Sequence, residues 1–302
     1  MRRSRTIALQ EALKSMGEFD PELDPVNSPF RYAGGKFYAR KLILEHVPEH
    51  DTYVEPLCGG ASIFFAKPKV EHNILNDLDE ELTNCLTVIR DRPNELADFL
   101  EGRPASKKLH AYFKKEFKPK DDLERAGRWY YLNRTSYSGI MKMENMFWGY
   151  GDKYSMRPEN WRRHLQKTSL KLRGVKILNE DFESVARDAP DGAFLFVDPP
   201  YFNRDQDKFY TRTFTESDHY RLAKVLHDNS PRLKFLLTYD NHPFIRELYD
   251  WTGNLLEKEW NYTINRTDDQ TKKTRTKGKR YKGKELFIMN YPSPLTLLAP
   301  VE

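Results

Sequence analysis

From about residue 29 onward, short apolar runs alternate with stretches in which apolar residues recur at helical spacing. The runs Thr52–Val54, Asn73–Leu75, Val175–Leu178, Ala193–Val197 and Lys234–Thr238 predict strands, and Tyr220, Leu222, Val225 and Leu226 predict a helix over Glu216–Asp228. Strands separated by helices pair in parallel, because each crossover returns the chain to the same end of the sheet. Toward the end, Leu255–Ile264 and Lys284–Tyr291 read as two strands of a hairpin around a loop rich in basic residues and glycine. The expected fold class is α/β with a mainly parallel sheet.

This rhythm breaks between residues 104 and 170. There Arg128–Arg134 and Asn145–Tyr150 crowd aromatic and basic side chains together, which marks an insertion into a core made of residues 28–103 and 171–302. Residues 1–27 read as a polar N-terminal extension, with weak helical patterning around Ile7, Leu9, Leu13 and Met16 that ends at Pro21 and Pro25. No run has the length or apolarity of a signal core or a membrane span, so a soluble protein without membrane contact is expected.

Composition adds little to this picture, because a surplus of 50 Lys and Arg over 45 Asp and Glu is ordinary for a soluble enzyme. Its distribution says more. Lys272, Lys273, Arg275, Lys279 and Arg280 cluster in the predicted hairpin loop, where they can contact several phosphates. Cys58 and Cys85 have no spacing for a zinc site or a disulfide framework, and His219 and His242 have none for ligands. No metal is expected, and a reducing cytoplasm is the natural setting.

The sharpest motif is Asp198-Pro199-Pro200-Tyr201, directly after the apolar run Ala193–Val197. Open α/β sheets bind ligands at the carboxyl ends of their strands. Two prolines fix φ and offer carbonyl oxygens without N–H donors, so Asp198 and the Pro199 carbonyl can accept both hydrogens of one amino group, with Tyr201 stacked on its ring. Upstream, Glu55-Pro56-Leu57-Cys58-Gly59-Gly60-Ala61-Ser62 joins a strand to a helix through a glycine turn that lets backbone approach a ligand closely. It is not the dinucleotide fingerprint, which disfavours a nicotinamide enzyme. Asp77 ends the next strand, where an acid holds ribose hydroxyls or else caps the following helix. Tyr32-Ala33-Gly34-Gly35-Lys36 lacks the spacing and the Ser or Thr of a phosphate loop. Its lysine is suited instead to pairing with a carboxylate.

With these pieces in place, the chain resembles the Dam-like DNA adenine N6-methyltransferases over about residues 29–291. Pro29–Lys36, Tyr53–Ser62, Asn76–Asp79 and Asp198–Tyr201 are similar to the family's cofactor and catalytic motifs. Asn133–Gly139 resembles the start of its recognition hairpin, and Glu285–Tyr291 its last strand. The resemblance implies a Rossmann-like S-adenosylmethionine-dependent methyltransferase fold with an inserted, mostly helical DNA-recognition domain at 104–170. It implies cofactor contacts from Tyr32, Ala33, Gly34, Gly35, Lys36, Glu55, Pro56, Cys58, Gly59, Gly60, Ala61, Ser62, Asp77 and Asp198, with Asp181 and Phe182 near the cofactor's adenine. It also implies contacts to double-stranded DNA from Asn133, Arg134, Tyr137, Ser138, Ile140 and Lys142, with Tyr137 inserting into the stack.

The departures are specific. Tyr32 replaces a usual tryptophan and Leu57 a usual phenylalanine, and Lys142 stands where enzymes reading GATC carry a guanine-contacting arginine. A lysine lacks the planar two-point fork, so a target other than GATC is expected. The expected reaction is methyl transfer to N6 of an adenine swung out of the duplex, within a bacterial, archaeal or phage system that can include a restriction endonuclease. An N4-cytosine methyltransferase and a noncatalytic DNA-binding relative are the alternatives. Residues 202–214, polar and basic, are expected to close over substrate.

Overall fold

The computed structural model describes residues 19–32, 34–151, 155–202, 211–261 and 282–297. One sheet of seven strands organises them: β1 (Thr52–Glu55), β2 (His72–Asn76), β3 (Lys176–Leu178), β4 (Phe194–Val197), β5 (Lys234–Asp240), β6 (Leu255–Asn261) and β7 (Lys282–Met289). Their order is β3-β2-β1-β4-β5-β7-β6. Neighbours from β3 to β5 are parallel, and β7 runs antiparallel to both β5 and β6. The sheet is therefore mainly parallel, as the sequence predicts, with the hairpin at one edge.

The central strands are apolar because both their faces are covered. All residues of β1 and β4 are buried, and they alternate between two cores. Tyr53, Phe194 and Phe196 join one cluster, whereas Val54, Leu195 and Val197 join the other. The first face is covered by α1 (Arg40–Leu44), α2 (Ser62–Ala66), α3 (Glu80–Asp91) and α4 (Pro93–Leu100). On the second lie α8 (Phe182–Asp188), α9 (Glu216–Asn229) and α10 (Pro243–Tyr249).

The segment that breaks the sequence rhythm folds as α5 (Lys107–Lys115), α6 (Asp122–Thr135), three short 3-10 turns and α7 (Trp161–Leu172). Ser106 and Asp121 cap α5 and α6 with their side chains. Gly127 lets α6 lie close to α4, since a Cβ there would stand 2.2 Å from the Phe99 ring. Trp129, Tyr130, Tyr131 and Trp161 are buried and share one apolar cluster with Leu86 and Ile89 of α3. Much of the aromatic crowding in the sequence is thus core packing. The end of the N-terminal extension also lies on this core: Val26 N–H donates to Phe65 O at 2.8 Å, and Lys171 Nζ to Asp24 O at 3.0 Å. Among the described residues no helix is long and apolar enough to cross a membrane.

Candidate active site

The strand order reverses between β1 and β4, and at that switch point the loops after the two strands part to leave a crevice. Glu55 ends β1 and Asp198 follows β4, so topology alone brings the two acidic motifs to one opening. One cleft is lined by residues from all the predicted cofactor motifs, including Tyr32, Lys36, Glu55, Gly59, Asp77, Phe182 and Asp198. Asn76 fixes its floor: the side-chain amide donates to Pro56 O at 2.8 Å and Glu180 O at 2.9 Å, and the side-chain oxygen accepts from Glu180 N–H at 2.9 Å. Three strand ends are thereby tied side by side.

The carboxylates of this floor are held by backbone and hydroxyl donors. Glu55 Oε1 accepts from Tyr53 OH at 2.7 Å and Phe64 N–H at 2.8 Å. Asp77 accepts from Gly59 N–H at 2.8 Å and Asp79 N–H at 2.9 Å. The cap of α3 belongs to Asp79, which accepts from Glu81 and Leu82, so the capping alternative for Asp77 does not hold. Burial disfavours charge at both groups, pushing the Glu55 carboxyl up to about 8 and Asp77 up to about 6. Burial also raises the Cys58 thiol well above its ordinary range, which leaves it an inert wall residue.

The room supplied by the glycine turn is used by Tyr32. A Cβ at Gly59 would lie 2.7 Å from the Tyr32 ring, and one at Gly60 would lie 3.0 Å from Tyr32 Cβ. Gly59 and Ala61 both have left-handed backbone, with φ of 46° and 49°, and the turn leads into α2 at Ser62. In the opening motif, Gly35 N–H donates to Tyr32 O at 3.1 Å and Gly34 O accepts from Lys36 Nζ at 3.2 Å. Ala33 lies outside the described residues.

Lys36 meets the Asp198–Tyr201 tetrapeptide. Its Nζ lies 2.6 and 2.7 Å from the two oxygens of Asp198, and Thr238 Oγ1 donates to Asp198 Oδ1 at 2.8 Å. The lysine is 5% exposed and the aspartate 21%, so the pair is shielded while one side remains open to the cleft. Pro199 and Pro200 line the cleft beside it. Tyr201 is buried, with Lys36 Nζ 4.9 Å from its ring centroid and its hydroxyl donating to Glu285. After Phe202, residues 203–210 fall outside the described residues, so Arg204 and Lys208 of the expected lid are not placed. The segment returns at Thr211, whose hydroxyl donates to Asp79 at 3.0 Å, and Phe214 packs on Phe182 with ring centroids 5.6 Å apart. Asp181 caps α8 and binds Arg221 at 2.7 Å.

The predicted DNA-contacting residues divide. Asn133 is fully buried: its side chain accepts from Arg31 N–H at 2.9 Å and donates to Arg31 O at 2.8 Å. Arg134 is 6% exposed and reaches Pro29 O, and Ile140 is also buried. Asn133 and Arg134 thereby tie this segment to the opening motif through Arg31 and Pro29, and Ile140 packs into the interior. Tyr137 is 52% exposed, while Ser138 and Lys142 are half-buried. Ser136 and Trp148 form an antiparallel bridge, and Tyr137 N–H donates to Phe147 O at 2.8 Å, which closes a loop whose outer side carries Tyr137, Met143 and Phe147. Left-handed Ser138 and Gly139 turn it, and a Cβ at Gly139 would lie 2.1 Å from Arg31 O. Lys272, Lys273, Arg275, Lys279 and Arg280 lie outside the described residues.

Sequence reasoning missed Thr238 and Glu285. The only signal for either was a polar residue inside an apolar strand run. Among the described residues, no three His, Cys, Asp or Glu side chains converge as metal ligands.

The chain is 27% identical over 260 residues to the type II methyltransferase M.CviBI of Paramecium bursaria Chlorella virus NC1A, covering 83% of this chain and 98% of that protein. It is 26% identical over 282 residues to the type II methyltransferase M1.LlaDCHI of Lactococcus lactis subsp. cremoris, covering 87% and 95%. Against the DNA adenine methylase of Escherichia coli K12 the identity is 26% over 211 residues, covering 65% and 73%. The family profile described as D12 class N6 adenine-specific DNA methyltransferase matches residues 32–264, which span all the cleft motifs, and the chain belongs to that family.

Proposed function

We propose that Asp198, Pro199, Pro200 and Tyr201 receive an adenine swung out of duplex DNA, while the floor around Glu55 and Asp77 holds S-adenosylmethionine. The observation that carries this reading is the Lys36–Asp198–Thr238 arrangement after β4, opening into the same cleft as two buried carboxylates. The residues suit the cofactor, whose use the family implies. Asp77 offers acceptors for ribose hydroxyls, Glu55, once its proton has left, offers negative charge to a cationic ligand, and Phe182 with Asp181 offers an apolar face and a polar edge for adenine. When bound, the cofactor supplies an electrophilic methyl group on a sulfonium.

The chain's own part is orientation and electrostatics. Adenine's amino nitrogen is a poor nucleophile because its lone pair is conjugated into the ring. Hydrogen bonds from its two hydrogens to Asp198 and the Pro199 carbonyl favour a tetrahedral nitrogen and turn the lone pair outward. Lys36 and Thr238 keep Asp198 in one orientation, and after transfer the methylated nitrogen gives up one proton to solvent water. Extrusion of the base costs a few kcal/mol, offset by contacts in the pocket and by Tyr137 in the vacated stack. Residues 104–170 serve as the recognition unit, with phosphate contacts added by the basic segment around Lys272–Arg280. The target is a sequence other than GATC, because Lys142 replaces the two-point arginine contact. Since two of the relatives are named type II methyltransferases, a restriction endonuclease of matching specificity is the partner we propose.

The test is methylation of unmethylated DNA with labelled S-adenosylmethionine, with nucleoside analysis and mapping of the modified sites. N6-methyladenine in a non-GATC context is expected from the native chain, and none from a folded, cofactor-binding Asp198→Ala variant. Methylation confined to GATC would remove the target assignment, and an active Asp198→Ala variant would remove the catalytic one.

A further inference from the structure

Glu285 lies in β7, between β5 and β6, in register with Asp240 on one side and Lys258 on the other. Its strand continues Leu286-Phe287-Ile288-Met289, all fully buried, and Glu285 itself has no exposed surface. A carboxylate is rarely buried this far without a partner that repays its loss of water. Here the partner belongs to the catalytic tetrapeptide: Glu285 Oε2 accepts the hydroxyl of Tyr201, a residue 84 positions away in the chain. The Tyr201 ring is held at other points as well. Its backbone follows two prolines, Lys36 Nζ stands 4.9 Å from the ring centroid, and the Tyr239 ring lies 6.0 Å away. The same lysine grips Asp198. Glu285 and Asp198 thus anchor opposite ends of one polar chain that runs along the wall of the cleft.

We propose that Glu285 is a positioning residue for the target base: by holding the Tyr201 hydroxyl, it fixes the plane of the ring against which the base lies beside Asp198. This rests on the reading that the tetrapeptide receives the adenine. A ring free to turn about its side-chain bonds would have to be ordered at each turnover, whereas a ring anchored at its hydroxyl is ordered before the base arrives.

The experiment measures single-turnover methyl transfer by the full-length chain on a duplex carrying its mapped target, with S-adenosylmethionine affinity measured separately by calorimetry. Tyr201→Phe, which keeps the ring and loses the anchor, and Glu285→Leu, which removes the acceptor, are each expected to slow transfer about 10-fold, with cofactor affinity unchanged. The double variant is expected to be no slower than the slower single variant, because both remove one interaction. Glu285→Gln, which retains an oxygen acceptor, should recover most of the rate. Wild-type transfer by Tyr201→Phe overturns the proposal, as do losses that multiply in the double variant. If Glu285→Leu does not fold, Tyr201→Phe decides alone. Should Tyr201→Ala and Asp198→Ala both transfer normally, the parent reading falls; should both fail while Tyr201→Phe is normal, only the role of Glu285 falls.

Discussion

The two halves of the cleft handle negative charge in opposite ways. On the side of the tetrapeptide, Asp198 has an ammonium against both its oxygens and a hydroxyl on one of them. On the floor, Glu55 and Asp77 accept only from backbone N–H groups and, for Glu55, a tyrosine hydroxyl, with no ion pair among the described residues. Burial outweighs these donors, and both carboxyls bind protons more tightly than usual. The difference separates a half with built-in charge balance from a half that gains from a positive ligand. On the proposed reading, a carboxylate that orients an amino group benefits from a fixed partner, whereas one that takes up a sulfonium ligand does better without an ion-pair partner of its own.

The strongest way to break this contrast is to remove the cation. Lys36→Met is expected to slow methyl transfer on the order of 10- to 100-fold, the range for losing a charge-assisted hydrogen bond, while cofactor affinity stays nearly constant. Single-turnover rates beside calorimetric affinities check this. A variant that transfers normally but binds the cofactor poorly would assign Lys36 to the methionine carboxylate and dissolve the distinction between the halves.

A smaller effect, up to roughly 10-fold per pH unit, should appear on the floor. Because the folded, ligand-free chain holds a proton on Glu55 up to about pH 8, a ligand with net positive charge binds better once that proton has left. Affinity for S-adenosylmethionine should therefore rise as pH approaches 8 and then level. The sign for stability is opposite. An unfolded chain releases this proton near the ordinary value of 4.5, so the contribution of Glu55 to ligand-free stability falls as pH rises from there toward 8. Glu55→Gln should flatten the affinity profile and raise the melting temperature more at pH 8.5 than at pH 5. A wild-type affinity profile that is already flat between pH 6 and 8 would mean that the cofactor does not engage Glu55.

The fold was legible because its signals are local. An apolar run such as Ala193–Val197 has the length of a central strand and needs burial on both faces, and the tetrapeptide after it marks the carboxyl end where ligands bind. What escaped the sequence depends on distant partners. Asn133, which the family resemblance offers as a DNA contact, has its amide occupied by Arg31, from a loop 102 positions earlier. Trp129, Tyr130 and Tyr131 follow one another without periodicity, so nothing in the run distinguishes a helix packed on several sides from an exposed aromatic patch. Gly59 reads as room for a close approach to a ligand; it does line the cleft, but the space a Cβ would need is taken by the Tyr32 ring.

Thr238 gives the mildest and most discriminating perturbation of the tetrapeptide half. It is fully buried on β5, and its hydroxyl adds a neutral hydrogen bond to an aspartate already paired with a lysine. Thr238→Val preserves shape and leaves the ion pair in place, so the expected loss in transfer rate is about 3- to 10-fold, the range for a neutral bond, with cofactor affinity unchanged. If the contrast between the halves rests on charge, this variant must be milder than Lys36→Met. Equal losses would mean that Asp198 acts chiefly through its exact orientation, since a neutral donor would then matter as much as a cation, and the lack of an ion pair at Glu55 and Asp77 among the described residues would lose its functional meaning.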